Sequence, residues 1–210
     1  MPPARLFLVR HGQTASNVAQ TLGASEQDPL DALGERQAEA VAAHLAALKL
    51  PAPRVYASTY RRAQQTAQAI ADALGVPMTT LEGVQEIHVG HWSGRPYAHL
   101  HSHRHDWRHE DGTPGFPGGE SLRGVAGRFL AALESVMDAD ATPIVVSHGG
   151  ALTAVLTTLL RVNVEEAWQD ARFAHGNTGV TELVRDVDGW QAHRLADVDH
   201  LAGLSTPAAP

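Results

Sequence analysis

Cysteine is absent from the 210 residues, which excludes disulfides and cysteine-ligated metal centres. A chain without cysteine fits the cytoplasm. Positive charge is in deficit: 16 Lys plus Arg stand against 23 Asp plus Glu, a formal net charge of −7. General nucleic-acid binding relies on clustered positive charge, so this balance argues against it. Long apolar runs are also missing. The longest, Ala151 to Leu160, is too short and too rich in Thr to cross a bilayer. The four apolar residues Leu6 to Val9 near the N-terminus do not make a signal peptide. The expectation is a cytoplasmic protein with neither a nucleic-acid nor a membrane partner.

What is present suits a folded domain. Hydrophobic residues make up 43% and charged residues 19% of a 22.4 kDa chain, enough to bury a core without staples. Strand-length and helix-period segments alternate. Leu6 to Val9, Arg54 to Ala57 and Ile144 to Val146 read as buried strands. Ala38, Val41, Leu45 and Leu48 share a helical face, closed by Pro51 and Pro53. Ala63, Thr66, Ala67, Ile70, Ala71 and Leu74 share another, stopped by Gly75 and Pro77. Leu122 to Met137 and Leu152 to Leu160 repeat the helical period. Val180 to Val184 and Gln191 to Leu195 read as strands joined through Asp188-Gly189. This alternation predicts a three-layer α/β/α sandwich with a mainly parallel central sheet. One domain is expected over residues 1–210, with an insertion at about 88–119 and a frayed tail at about 205–210.

Two histidines stand directly behind predicted strands: Arg10-His11-Gly12 after the first, and Ser147-His148-Gly149-Gly150 after the strand near residue 145. Ligands of open α/β sheets bind beyond the carboxyl ends of parallel strands, so the two histidines are expected to face one site. The glycines beside them suggest exposed amides at helix starts, which suit an anion. Either histidine alone would serve equally as a hydrogen-bonded loop residue.

The wider strings decide between these. Arg10-His11-Gly12-Gln13-Thr14-Ala15-Ser16-Asn17 resembles the R-H-G-x-[ST]-x-x-N signature of the histidine phosphatase superfamily, also called phosphoglycerate-mutase-like. Ser58 to Ala67 resembles its S-x-x-x-R-A-x-x-T-A stretch, and Glu86 to Gly94 its E-x-x-x-G-x-W-x-G stretch. Val146 to Gly150 resembles the second histidine motif. Each motif alone is weak, but four in order over about Leu6 to Leu183 are specific.

The resemblance implies a metal-independent phosphomonoesterase of the histidine acid phosphatase type. It would need no cofactor and act on a small-molecule phosphate monoester through a phosphohistidine. His11 would be the nucleophile, kept neutral by nearby arginines. Arg10 and Arg62 would clamp phosphoryl oxygens with planar guanidinium forks. His148 would donate to the same oxygens, and Glu86 would be the general acid and base. Gln13, Thr14 and Gly149 are further expected substrate contacts, and Asn17 would either bond the phosphoryl group or hold the loop. His91, Trp92, Tyr97, His101, His105, Trp107 and Phe116 are the candidates in the insertion for contacting the leaving group. Arg61 is expected to face solvent, and Arg36, Arg123 and Arg128 to be solvated helix residues.

Within the resemblance, mutases carry an arginine directly after the acid, where this chain has Ile87. They also have a larger insertion. Hydrolysis is therefore expected over a primed phosphoglycerate mutase. A non-catalytic phosphate binder is the remaining alternative, although such a module would not need Glu86. The insertion holds seven of the 13 histidines. His101, His105 and His109 recur every four residues, as do His99 and His103, so on one continuous helix each set would share a face. That face would be solvated or would bind Zn, Ni or Cu; physiologically, no metal is expected. Exposed aromatics there would equally suit a homodimer interface.

Overall fold

The computed structural model describes residues 4–138 and 140–204; the expected frayed tail lies outside the described residues. All six strands join one sheet. In chain order they are β1 (Ala4–Arg10), β2 (Pro53–Ala57), β3 (Met78–Thr80), β4 (Thr142–Ser147), β5 (Val180–Asp186) and β6 (Gly189–Asp197). Their spatial order is β3-β2-β4-β1-β5-β6. The β2–β3, β2–β4 and β1–β4 pairs are parallel, and β5 and β6 add antiparallel to one side. β3 was not expected from the sequence: its residues lie partly or largely exposed, so no apolar run marked it.

The helices are α1 (Ala15–Val18), α2 (Ala32–Ala47), α3 (Arg61–Leu74), α4 (Ala98–Ser102), α5 (Leu122–Val136), α6 (Gly149–Leu159) and α7 (Val164–Gln169). The alternation of side chains along β1 and β4 divides the core in two. Phe7, Val9, Ile144 and Val146 pack against α2 and α3 on one face. Leu6, Leu8 and Val145 pack against α5 and α6 on the other. Helix starts and stops follow their local chemistry. Asp31 caps α2 through the amides of Leu33 and Gly34, and Ser121 caps α5 through that of Gly124. Gly75 ends α3 at φ 67°, the left-handed conformation glycine tolerates best.

The insertion is sewn into the second core through Val89, Trp92, Trp107 and Phe116. It contains no continuous histidine helix. α4 ends at Ser102, whose Oγ turns back on the Ala98 and His99 carbonyls, and His103 leaves helical geometry. Burial of Trp107 against Phe116 and Trp168 then draws the chain inward. His99 and His103 stack at 3.8 Å between centroids, while His105 and His109 pair with neighbouring carboxylates. The side chain of His101 lies outside the described residues. Among the described residues, no group of three or more potential ligands is placed to hold a metal. Among them, no helix is long and apolar enough to cross a membrane.

Candidate active site

Three neighbouring strands deliver the site. His11 follows β1, His148 follows β4, and Ser58, Tyr60 and Arg62 follow β2, all at carboxyl ends of parallel strands. The His11 and His148 ring centroids stand 5.1 Å apart. Both rings are buried, as is Arg62 at 2% exposure, whereas Arg61 faces solvent.

The bonds of His11 define its tautomer. Nδ1 lies 2.7 Å from the Gly12 carbonyl, which can only accept. Arg62 Nε donates to Nε2 at 3.1 Å. The proton is therefore on Nδ1 and the lone pair on Nε2. Burial, then the charges of Arg10 and Arg62, hold the His11 pKa well below the usual histidine value. His148 is held well below it too, by burial first and then by His11 and both arginines. Its Nε2 lies 2.8 Å from Ser58 Oγ, and its buried Nδ1 has no protein partner.

Arg10 donates to the His175 carbonyl at 2.6 Å, and its buried Nε has no protein partner. Arg62 donates to the Ser25 carbonyl and lies over the Tyr60 ring at 4.9 Å. Glu86 faces both guanidiniums and raises the pKa of each against the lowering by burial. Its Oε1 accepts from the amides of Ile87 (2.9 Å) and Ala151 (2.8 Å), and Oε2 from Gly150 at 3.2 Å. The carboxylate thus sits on the N-terminus of α6, where backbone dipoles favour negative charge.

Two amides of the histidine motifs serve the protein itself. The Gly12 amide donates to Thr66 Oγ1, and that of Gly150 to Glu86. Gly12 permits close approach to α2 rather than to a ligand: a Cβ there would meet the Gly34 carbonyl oxygen at 2.5 Å. Gln13 and Thr14 are likewise occupied. Gln13 donates to Asp31, and Thr14 caps α1 in a reciprocal box with Asn17. Asn17 Oδ1 also accepts from Asn177, which donates to the His11 carbonyl as well. Gly149 lines the adjacent cavity.

That cavity, about 660 Å³, opens beside Arg10 and Glu86. His91 and Trp92 do not line it. Trp92 is buried against Phe116 and His99, and the exposed His91 ring lies against Gly118. Val89, Tyr97, Leu100, Trp107 and Phe116 form the insertion's part of the wall, so of the expected specificity candidates Tyr97, Trp107 and Phe116 line the cavity. Arg128 also departs from expectation. It is half-buried and tied down: it donates to the carbonyls of Gly83, Gln85 and Glu86 and forms a two-bond pair with Glu120. Ser58, Asn177 and His175 were not assigned roles from sequence. Only Ser58 carried a signal, its position directly behind a strand.

The chain matches the model of the histidine phosphatase superfamily (branch 1) over residues 6–198. A probable phosphoglycerate mutase GpmB of Yersinia enterocolitica is 38% identical over 205 residues, covering 94% of both chains. A mycobacterial glucosyl-3-phosphoglycerate phosphatase superposes with a TM-score of 0.77 at 27% identity, over 93% of this chain and 100% of that one. A phosphoserine phosphatase of Entamoeba histolytica, solved with 3-phosphoglyceric acid, gives 0.77 at 25% identity, over 94% and 99%. Both the sequence match and the paired strand-end histidines place this chain in the histidine phosphatase superfamily.

Proposed function

We propose that the protein hydrolyses phosphate monoesters through a phosphohistidine on His11, without a metal. The observation that carries this is the neutral, Nδ1-protonated ring whose Nε2 lone pair faces Arg62. In the first step Nε2 attacks phosphorus and the P–O bond to the leaving group breaks. Arg62 exchanges its bond to Nε2 for the phosphoryl oxygens, joined by Arg10 and His148. Glu86, in its acid form, gives its proton to the departing alkoxide. Oε2 is the suited oxygen, since it accepts one long bond while Oε1 accepts two. In the second step a water attacks phosphorus, passes a proton to Glu86, and the P–N bond breaks. Phosphate leaves and neutral His11 returns. The Gly12 carbonyl holds Nδ1–H throughout.

The names of relatives at 38% identity support a second reading, a phosphoglycerate mutase. Ile87, buried in the cavity wall at the position where mutases carry an arginine, favours hydrolysis. Phosphate release from p-nitrophenyl phosphate in EDTA tests the proposal. The expectation is turnover that falls by at least about a thousandfold in His11→Ala. An undiminished His11→Ala rate overturns it. Exchange between 2- and 3-phosphoglycerate, dependent on a bisphosphorylated primer and without net hydrolysis, supports the mutase.

A further inference from the structure

The cavity beside Arg10 and Glu86 carries a substrate class, and this inference rests on the hydrolase reading above. Its wall away from the phosphoryl end is apolar, with Ile87, Leu100, Trp107, Phe116 and Trp168 prominent. Trp107 and Trp168 lie face to tilted face at 5.1 Å, which makes an aromatic surface. Arg10 is the only guanidinium or ammonium among the lining residues, and it stands at the phosphoryl end beside His11. His175, the other basic group there, is buried and held at a pKa of about 4, so it is neutral at pH 7. A carboxylate entering this space would lose water and find no cation, a costly transfer. An aryl or alkyl body would gain from the same burial.

We infer that the leaving group is an uncharged, largely apolar alcohol, and that carboxylate-bearing phosphates such as phosphoglycerate or phosphoserine are poor substrates. The test compares kcat/KM for 2-phenylethyl phosphate, 3-phosphoglycerate, O-phosphoserine and glucose 6-phosphate. These are all alkyl esters, so the chemistry is matched. The phenylethyl ester is expected to lead by at least about tenfold. Leu100→Arg, which sets a cation in the wall, is expected to narrow that lead by raising kcat/KM for 3-phosphoglycerate. If that variant does not fold, Trp168→Ala is expected to raise KM for the phenylethyl ester by a larger factor than for glucose 6-phosphate. Equal or faster turnover of 3-phosphoglycerate by wild type overturns the inference. If wild type releases phosphate from none of the four, the hydrolase reading falls. Calorimetry on His11→Ala then still decides the cavity's class, by whether the phenylethyl ester binds tighter than 3-phosphoglycerate.

A second, independent observation concerns Arg128. Its guanidinium, held by Glu120, fastens three carbonyls of the segment 83–86, and Glu120 also accepts from the His88 amide at 2.9 Å. The geometry points to Arg128 as the positioning residue for the acid Glu86. Acid catalysis matters most when the leaving alkoxide is poor. Arg128→Met is therefore expected to lower kcat/KM, which reports the step that expels the leaving group, by about a hundredfold for an alkyl ester and less than about fivefold for p-nitrophenyl phosphate. Arg128→Lys should recover part of the loss, and Glu86→Gln should show the same split. Equal losses on both esters in Arg128→Met, with the split present in Glu86→Gln, overturn the positioning role. No split in Glu86→Gln removes the acid and the positioning role together.

Discussion

His11 stays neutral in this protein because it is buried and because its surroundings are already cationic. Burial and two arginines oppose a third charge, while the Gly12 carbonyl opposes them by favouring the protonated ring. The first effects win, so the ring stays nucleophilic in mildly acidic solution. In ¹⁵N NMR of histidine-labelled protein, His11 is expected to keep its Nδ1-protonated, neutral signature at acidities where a free imidazole is already protonated. Titration near pH 6.5 would contradict that electrostatic account. His148 depends on one partner for Nε2. Ser58→Ala leaves both ring nitrogens of a fully buried histidine without a protein partner. It is expected to cost about 1–3 kcal/mol in denaturant unfolding, together with a loss of kcat.

At the scale of elements, the site is built where backbones meet too closely for side chains. The β1–α1 loop rests on the start of α2: a Cβ on Gly34 would collide with the Gln13 backbone, as one on Gly12 would with Gly34. The start of α6 meets the segment carrying Glu86 in the same way. A Cβ on Gly150 would come to 2.8 Å from both Glu86 Oε1 and Ile87 Cγ2. Gly150→Ala is thus expected to push the carboxylate off the helix N-terminus and lower kcat about ten- to a hundredfold. Its thermal stability should change far less than its rate, which a melt beside a steady-state assay checks. The strings around His11 and His148 were legible as motifs. The purpose of their glycines was not, because the contacts they make lie between segments distant in sequence.

At the scale of the whole molecule, three buried histidines among the described residues have depressed pKa values: His11 and His148 well below 6.5, and His175 to about 4. Unfolding frees each to titrate normally. Above pH 6.5 both states are neutral and stability is full. As pH falls below 6.5 the unfolded chain takes up protons the native state refuses, so stability declines toward each folded pKa. The slope approaches about 1.4 kcal/mol per pH unit for each histidine. Urea midpoints are expected to fall steadily from pH 6.5 to 4, and His175→Gln to flatten that slope by about one proton. A midpoint independent of pH over this range would contradict the burial of these rings as neutral groups.

The sequence was enough for the four long helices, α2, α3, α5 and α6, and for every strand but β3, because apolar period and caps are local properties; the short α1, α4 and α7 carried no such pattern. It also determined the candidate chemistry, because Arg10, His11, Arg62, Glu86 and His148 sit in recognisable strings. The folded chain settled what each side chain meets. It joined the ends of β1, β2 and β4 into one site, turned Arg128 from an expected surface charge into the fastening of the Glu86 segment, and placed Trp92 in the core instead of the cavity. It also ended α4 at Ser102, so residues 99–109 do not form one helix. These outcomes depend on packing between residues far apart in the chain, where the area removed from water outweighs local helical preference.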